Sequence, residues 1–202
     1  MTRAIISATE AKTAALQDLD IRSHYSPLIN QATGTGTDNM IVAQGTGRLI
    51  DNVGGHSKMG ELIARAVYEG VKKAVYRQNG LMASRNIFRR LEERNIGIAE
   101  LISVDACECN IDRGDLAAPL EEILLQPVYA SFIESSLAIS DAYEKGFIAD
   151  LTVYHMLCKR VAEEISGKKI DTMVDLIAID NLPSVLRMTF NAILNGLYFK
   201  MK

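Results

Sequence analysis

Between Thr33 and Glu61 the chain gathers the side chains that could do chemistry. Thr33-Gly34-Thr35-Gly36-Thr37 alternates hydroxyls with glycine and closes on Asp38-Asn39; His56, Ser57, Lys58 and Glu61 then fall within six residues, behind Gly54-Gly55. A Gly/Thr loop can turn its main-chain N–H groups inward, because glycine tolerates positive φ, and the threonine hydroxyls add donors and acceptors. His56 can serve as acid or base near neutral pH. Asp38 can orient His56 or a water. Glu61 stands in a first helical turn, and Lys58 with the helix N-terminus can stabilise an oxyanion. The candidate catalytic residues are therefore His56, Asp38 and Glu61. Thr33, Gly34, Thr35, Gly36, Thr37, Asn39, Ser57 and Lys58 are the candidate substrate-binding residues, and Asp38 and His56 are expected to approach across one site. The plainer alternative is an ordinary turn in which Asp38 bonds its own backbone.

These residues need elements to hold them. Ser57 caps a long amphipathic helix over 58–78, with Met59, Leu62, Ile63, Val67, Val71 and Val75 on one face and Asn79-Gly80 as its stop. The apolar run Met40–Ala43 reads as a strand reaching Gln44, the Gly45–Gly47 stretch as a turn, and Leu49-Ile50 as its short partner. Residues 3–19 read as a helix with Ile5, Ala8, Ala11, Ala15 and Leu19 inward and Thr2 as cap; Glu10 and Lys12 read as solvated charges. Residues 20–31 are a connector with His24 exposed. Further on, helices are expected over 84–94, 115–126, 128–145, 150–166 and 182–199. Pro127 and Pro183 fit helix starts, Asp150 and Ser84 fit caps, and Met173–Ile179 fits a strand or a buried turn. Arg85, Arg89, Arg90 and Arg94 read as a solvated face, with an anionic-partner surface as the alternative; His155 reads as a core or boundary histidine and the aromatics of the second half as core. The expected fold is a helix-rich α+β protein. A small module, 1–81, carries a short strand pair and a long capped helix, and a helical region, 82–202, follows.

Composition narrows the classes. The 202 residues are 48% hydrophobic and 23% charged, ordinary values for a globular chain. Residues 1–104 hold 13 Lys/Arg against 10 Asp/Glu, and residues 105–202 hold 9 against 15. Neither half has the dense basic run that a nucleic-acid surface requires. No apolar run approaches a membrane span, and no signal core opens the chain. Three cysteines, with Cys107 and Cys109 too close for a local disulfide and Cys158 far away, suggest a reducing cytoplasm, and no zinc is expected. Neither GxSxG, HExxH nor the phosphate-binding GxxxxGK[ST] occurs, and Gly34-Thr35-Gly36 is not a dinucleotide fingerprint.

Three motifs resemble a known family. ATEAKTAAL at 8–16, ATGTGTD at 32–38 and GHSKMGELIARAV at 55–67 are similar to the adenosylcobinamide amidohydrolases of corrinoid salvage, over about residues 3–81. The resemblance implies hydrolysis of the amide joining aminopropanol to the corrin ring's propionyl side chain, giving adenosylcobyric acid for cobamide assembly. It implies a cytoplasmic enzyme acting on a linear carboxamide. Its partner would be a corrinoid small molecule, with no nucleic acid or membrane, and a homo-oligomer is possible. No cofactor or metal is expected beyond the cobalt the substrate carries. The family's domain carries a further segment ahead of the first motif, which this chain is expected to lack. Two other readings stay open: a corrinoid-binding or regulatory module without turnover, and a structural helical protein with an incidental Gly/Thr loop.

Overall fold

An alanine-rich stripe starts the architecture. In this computed structural model, which describes residues 2–102 and 113–202, α1 spans Thr2–Asp18 and buries Ala4, Ser7, Ala8, Ala11, Ala15 and Leu16. The stripe is the expected one at Ala8, Ala11, Ala15 and Leu19, while Ala4 takes the place of Ile5, which stays 40% exposed. The helix ends by closing its own carbonyls: Ile21 N–H donates to Leu16 O at 3.0 Å and Asp20 N–H to Gln17 O at 2.8 Å. Asp20 takes a left-handed φ of 52° there. Arg85 reaches back and donates to the carbonyls of Leu19 and Asp20 at 2.7 and 2.9 Å.

The chain forms two compact units, Met1–Asn86 and Ile87–Lys202. In the first, residues 22–31 turn back through one antiparallel bridge, Arg22 to Gln31. Residues 33–57 then retrace α1 toward its start, where α2, Lys58–Asn79, begins. Two contacts fix the direction of α2. Ser7 Oγ donates to Val53 O at 3.3 Å near its start, and Tyr68 Oη donates to Asp18 at 2.7 Å farther along. The helices are thus parallel, and the return between them carries the Gly/Thr loop. Gly80, at φ 65°, closes α2 by donating to Tyr76 O.

The expected strand pair is not there, so the fold is helical rather than α+β. Residues 39–51 have no ladder, and the only bridges among the described residues are Arg22–Gln31 and Ile102–Ile177. The reason is the lack of a partner. An isolated two-stranded hairpin is marginal in water, and here no third strand covers either face of Met40–Ala43.

The second unit contains α3 (Ile87–Glu92), α4 (Ile98–Leu101), α5 (Arg113–Leu124), α6 (Pro127–Glu144), α7 (Thr152–Ser166) and α8 (Ser184–Met201). Helix α8 is the centre: 11 of its 18 residues are buried, so it is apolar nearly all round. Gly196 lets α7 cross closely, because a Cβ there would stand 2.6 Å from Ile165 Cβ. The apolar run Met173–Ile179 is neither a continuous strand nor a helical turn; Ile177 alone pairs, bridging to Ile102. Helix α8 bonds it with side chains: Asn195 accepts from Val174 N–H at 2.8 Å and donates to its carbonyl at 2.7 Å, while Asn191 accepts from Leu176 N–H at 2.8 Å.

Several expectations for this half change with burial. Arg94 is 2% exposed and donates to Asp141 at 3.2 Å, so the arginines are not one solvated face. His155 is exposed, as is Phe147, which points 80% into solvent. Asp150 caps α7 from one residue outside its nominal start, accepting from Thr152 N–H at 3.0 Å. Cys158 is buried as a free thiol, and burial pushes its pKa up to about 11. Cys107 and Cys109 lie outside the described residues. Among the described residues, no three His, Cys, Asp or Glu gather as a metal site, and no single helix is long and apolar enough to cross a membrane.

Candidate functional site

The Gly/Thr loop is built around Asp38. Thr35 donates its N–H to Oδ2 at 2.8 Å and its hydroxyl to Oδ1 at 2.9 Å. Those bonds alone would make a local turn. The long-range tie is Lys12 of α1, whose Nζ donates to Asp38 Oδ2 at 2.5 Å. One turn position on, Thr13 donates its hydroxyl to Thr33 O at 2.9 Å. The loop is therefore clamped to the helix from two side chains. Lys12 and the two Thr35 donors hold the Asp38 carboxyl down at a pKa of about 2, against an ordinary 3.8. At neutral pH this group is a fixed carboxylate and too weak a base to take a proton. Its bonds tie the loop to the Lys12 ammonium.

Gly34 lies close under this pair. A Cβ at this position would stand 2.7 Å from Asp38 Oδ2 and 2.9 Å from Lys12 Nζ. Gly36 has open space around it. Thr37 accepts through its carbonyl from the Asn39 side chain at 3.0 Å. Thr33, Thr35, Thr37 and Asn39 are exposed, so the loop presents hydroxyl and amide groups to solvent.

The second group sits at the head of α2. Ser57 Oγ accepts from Gly60 N–H at 3.1 Å, the expected cap, and donates to Gly54 O at 2.7 Å. Gly60 presses on that carbonyl; a Cβ there would lie 1.9 Å from Gly54 O. Ser57 is thus committed to the turn. Lys58 Nζ donates to Glu61 at 3.1 Å, and Arg65 stands 3.9 Å from the same carboxylate. Both partners are widely exposed, so the pair is a solvated one of small energetic weight. His56 is exposed in the turn beside Gly54.

The structure thus brings the predicted residues into two clusters. Asp38, Thr33, Gly34 and Thr35 form one with Lys12 and Thr13; His56, Ser57, Lys58 and Glu61 form the other. Asp38 and His56 share no contact among the described residues. Helix geometry separates their anchors. Lys12 and Thr13 hold the loop, whereas Ser7 and Arg3 face the Val53–Gly54 turn, roughly 150° around α1 and roughly 11 Å along it. Reading the sequence missed Lys12 and Thr13. The signal was there, since both lie in the ATEAKT stretch beside the alanine stripe, but Lys12 reads as an ordinary solvated charge until its partner is seen.

Comparison with known proteins bears on these residues. Residues 1–83 match the model of a family described as adenosylcobinamide amidohydrolase. An uncharacterized protein of Methanocaldococcus jannaschii is 56% identical over 79 residues, which are 39% of this chain and 31% of that protein. The match spans less than a third of that relative's length. No solved structure matches the chain.

Proposed function

We propose that the first unit hydrolyses the amide joining aminopropanol to the corrin ring side chain of adenosylcobinamide, releasing adenosylcobyric acid for cobamide salvage. The observation that carries this reading is the Lys12–Asp38 bond, which joins the first two motifs of the matched stretch into one clamped loop. In this reading Lys12 supplies positive charge to an amide oxygen that gains negative charge as water attacks. The Thr33–Asn39 hydroxyl and amide groups bind the substrate's carboxamides. His56 is the acid–base group that activates water or protonates the leaving amine, which requires the turn that carries it to close on the loop when substrate is bound.

The test is release of aminopropanol from adenosylcobinamide by the full chain, followed by mass spectrometry. A second reading, corrinoid binding without turnover, draws on the separation of His56 from the Lys12–Asp38 clamp. Binding with no aminopropanol released would select it.

A further inference from the structure

Residues 40–51 make no hydrogen bond to the rest of the first unit, among the described residues. Their two ends are nevertheless fixed. Asp38 holds one end to Lys12. At the other, Ser7 donates to Val53 O at 3.3 Å and Gly54 N–H donates to Asn52 Oδ1 at 3.2 Å. The segment is a strap, tied at both ends and unbonded between.

Beneath it lies a cavity of about 640 Å³. Ala4 of α1 and Met59 and Ile63 of α2 form its floor, and Val42, Leu49 and Ile50 of the strap line its wall. The strap's apolar side chains are not satisfied by this arrangement: Ile41 is 94% exposed, Leu49 77% and Ile50 48%. Apolar side chains left in water on an unpaired segment mark a surface that something covers. The strap's peptide groups are equally open, and such groups pair with water or with a ligand's amides. Gln44 and Arg48 add side-chain donors at the rim, and Asp51 an acceptor.

An occupant that satisfies these groups is apolar on its surface and carries amides at its edge. We infer that the strap clasps the methyl- and carboxamide-bearing edge of a corrinoid ring, with Val42, Leu49 and Ile50 against the ring's methyl groups and the free peptide groups on its carboxamides. This inference rests on the proposed function and adds the ring-binding surface to it. The strap then holds the ring while the cleaved arm reaches the loop at the Asp38 end.

The experiment titrates cobinamide into the full chain and into the double variant Leu49→Asp/Ile50→Asp, measuring Kd by equilibrium dialysis, with aminopropanol release from adenosylcobinamide assayed in parallel. Both side chains are exposed, so the variant should melt as the wild type does. The expected result is a Kd and a KM raised at least tenfold, with kcat changed far less. An unchanged Kd in a variant that still turns over overturns the strap and leaves the proposed hydrolysis standing. Tight binding lost in the variant, with no aminopropanol released even by the wild type, supports the strap and removes the hydrolysis. A wild type that neither binds nor turns over overturns both.

Discussion

Lys12 and His56 can each be removed at little cost to stability, but only Lys12 has a partner whose titration reports on it. Lys12 clamps a loop through a carboxylate whose pKa is held at about 2. A group depressed in the folded state adds stability above its unfolded pKa of 3.8 and loses it as pH falls through the folded value, so the Lys12–Asp38 contribution should fade between about pH 4 and pH 2. The pair is partly exposed, at 21% and 35% of its side chains, so its worth is under ~1 kcal/mol. Lys12→Met should thus cost little stability, bring the Asp38 carboxyl back toward the ordinary range in an NMR titration, and abolish turnover. An Asp38 that still titrates near 2 in that variant would show that Thr35 alone holds it. His56→Ala should leave Ser57 and its cap intact, changing stability by about 0.5 kcal/mol or less, while turnover falls by about 10²–10⁴-fold. Normal turnover by a folded His56→Ala protein removes His56 from the mechanism. At this scale the sequence made residue types legible but not partners. Asp38 was visible as a candidate, whereas its tie to Lys12 crosses 26 positions and depends on a return path that no local pattern encodes.

Helices were legible where a periodic face met a stop signal. Ser57 and Gly80 bound α2 because one accepts from an otherwise free N–H and the other takes the left-handed turn. The strands failed because alternation and β-branched residues describe a fit to neighbours that the chain does not supply. Two glycines of α2 turn this into a measurement. A Cβ added at Gly70 would meet nothing within 4 Å, so Gly70→Ala should raise helix stability by up to about 1 kcal/mol. Gly60→Ala has the same intrinsic gain but drives a methyl to 1.9 Å from the Gly54 carbonyl. It should lower the melting temperature followed by far-ultraviolet circular dichroism and break the Gly54–Ser57 turn. The same sign for both variants would mean that α2 does not rest on that turn. In the second unit, Asn195→Ala removes both bonds to Val174 from a fully buried side chain. It should cost about 2 kcal/mol in urea unfolding, where a stripe reading of α8 would count Asn195 as a mere polar interruption.

The two units differ in what could hold each together. In Ile87–Lys202, Ile133, Leu120, Leu186, Phe190, Ile193 and Leu194 are all wholly buried, and Tyr154 adds a hydroxyl bonded at 2.6 Å to both Ser136 and Thr189. Burial raises that phenol to a pKa of about 12, so it stays neutral in the core. In Met1–Asn86 the contrast is plain: α2 runs 22 residues and buries only Gly60, and the stripe on α1 is alanine, which removes little apolar area from water. Folding needs buried area to offset the ordering of the chain. Residues 87–202 expressed alone should therefore melt in one cooperative transition near that of the full chain. Residues 1–86 alone should show a broad, non-cooperative loss of helix. A saturating corrinoid adds stability to that fragment only if it binds the folded form, by a shift that grows with the logarithm of its concentration. Cobinamide should then sharpen the transition of 1–86 and leave that of 87–202 where it was. A sharp transition of the unliganded 1–86 fragment would mean that alanine packing suffices. A shift confined to 87–202 would move the corrinoid site out of the first unit altogether.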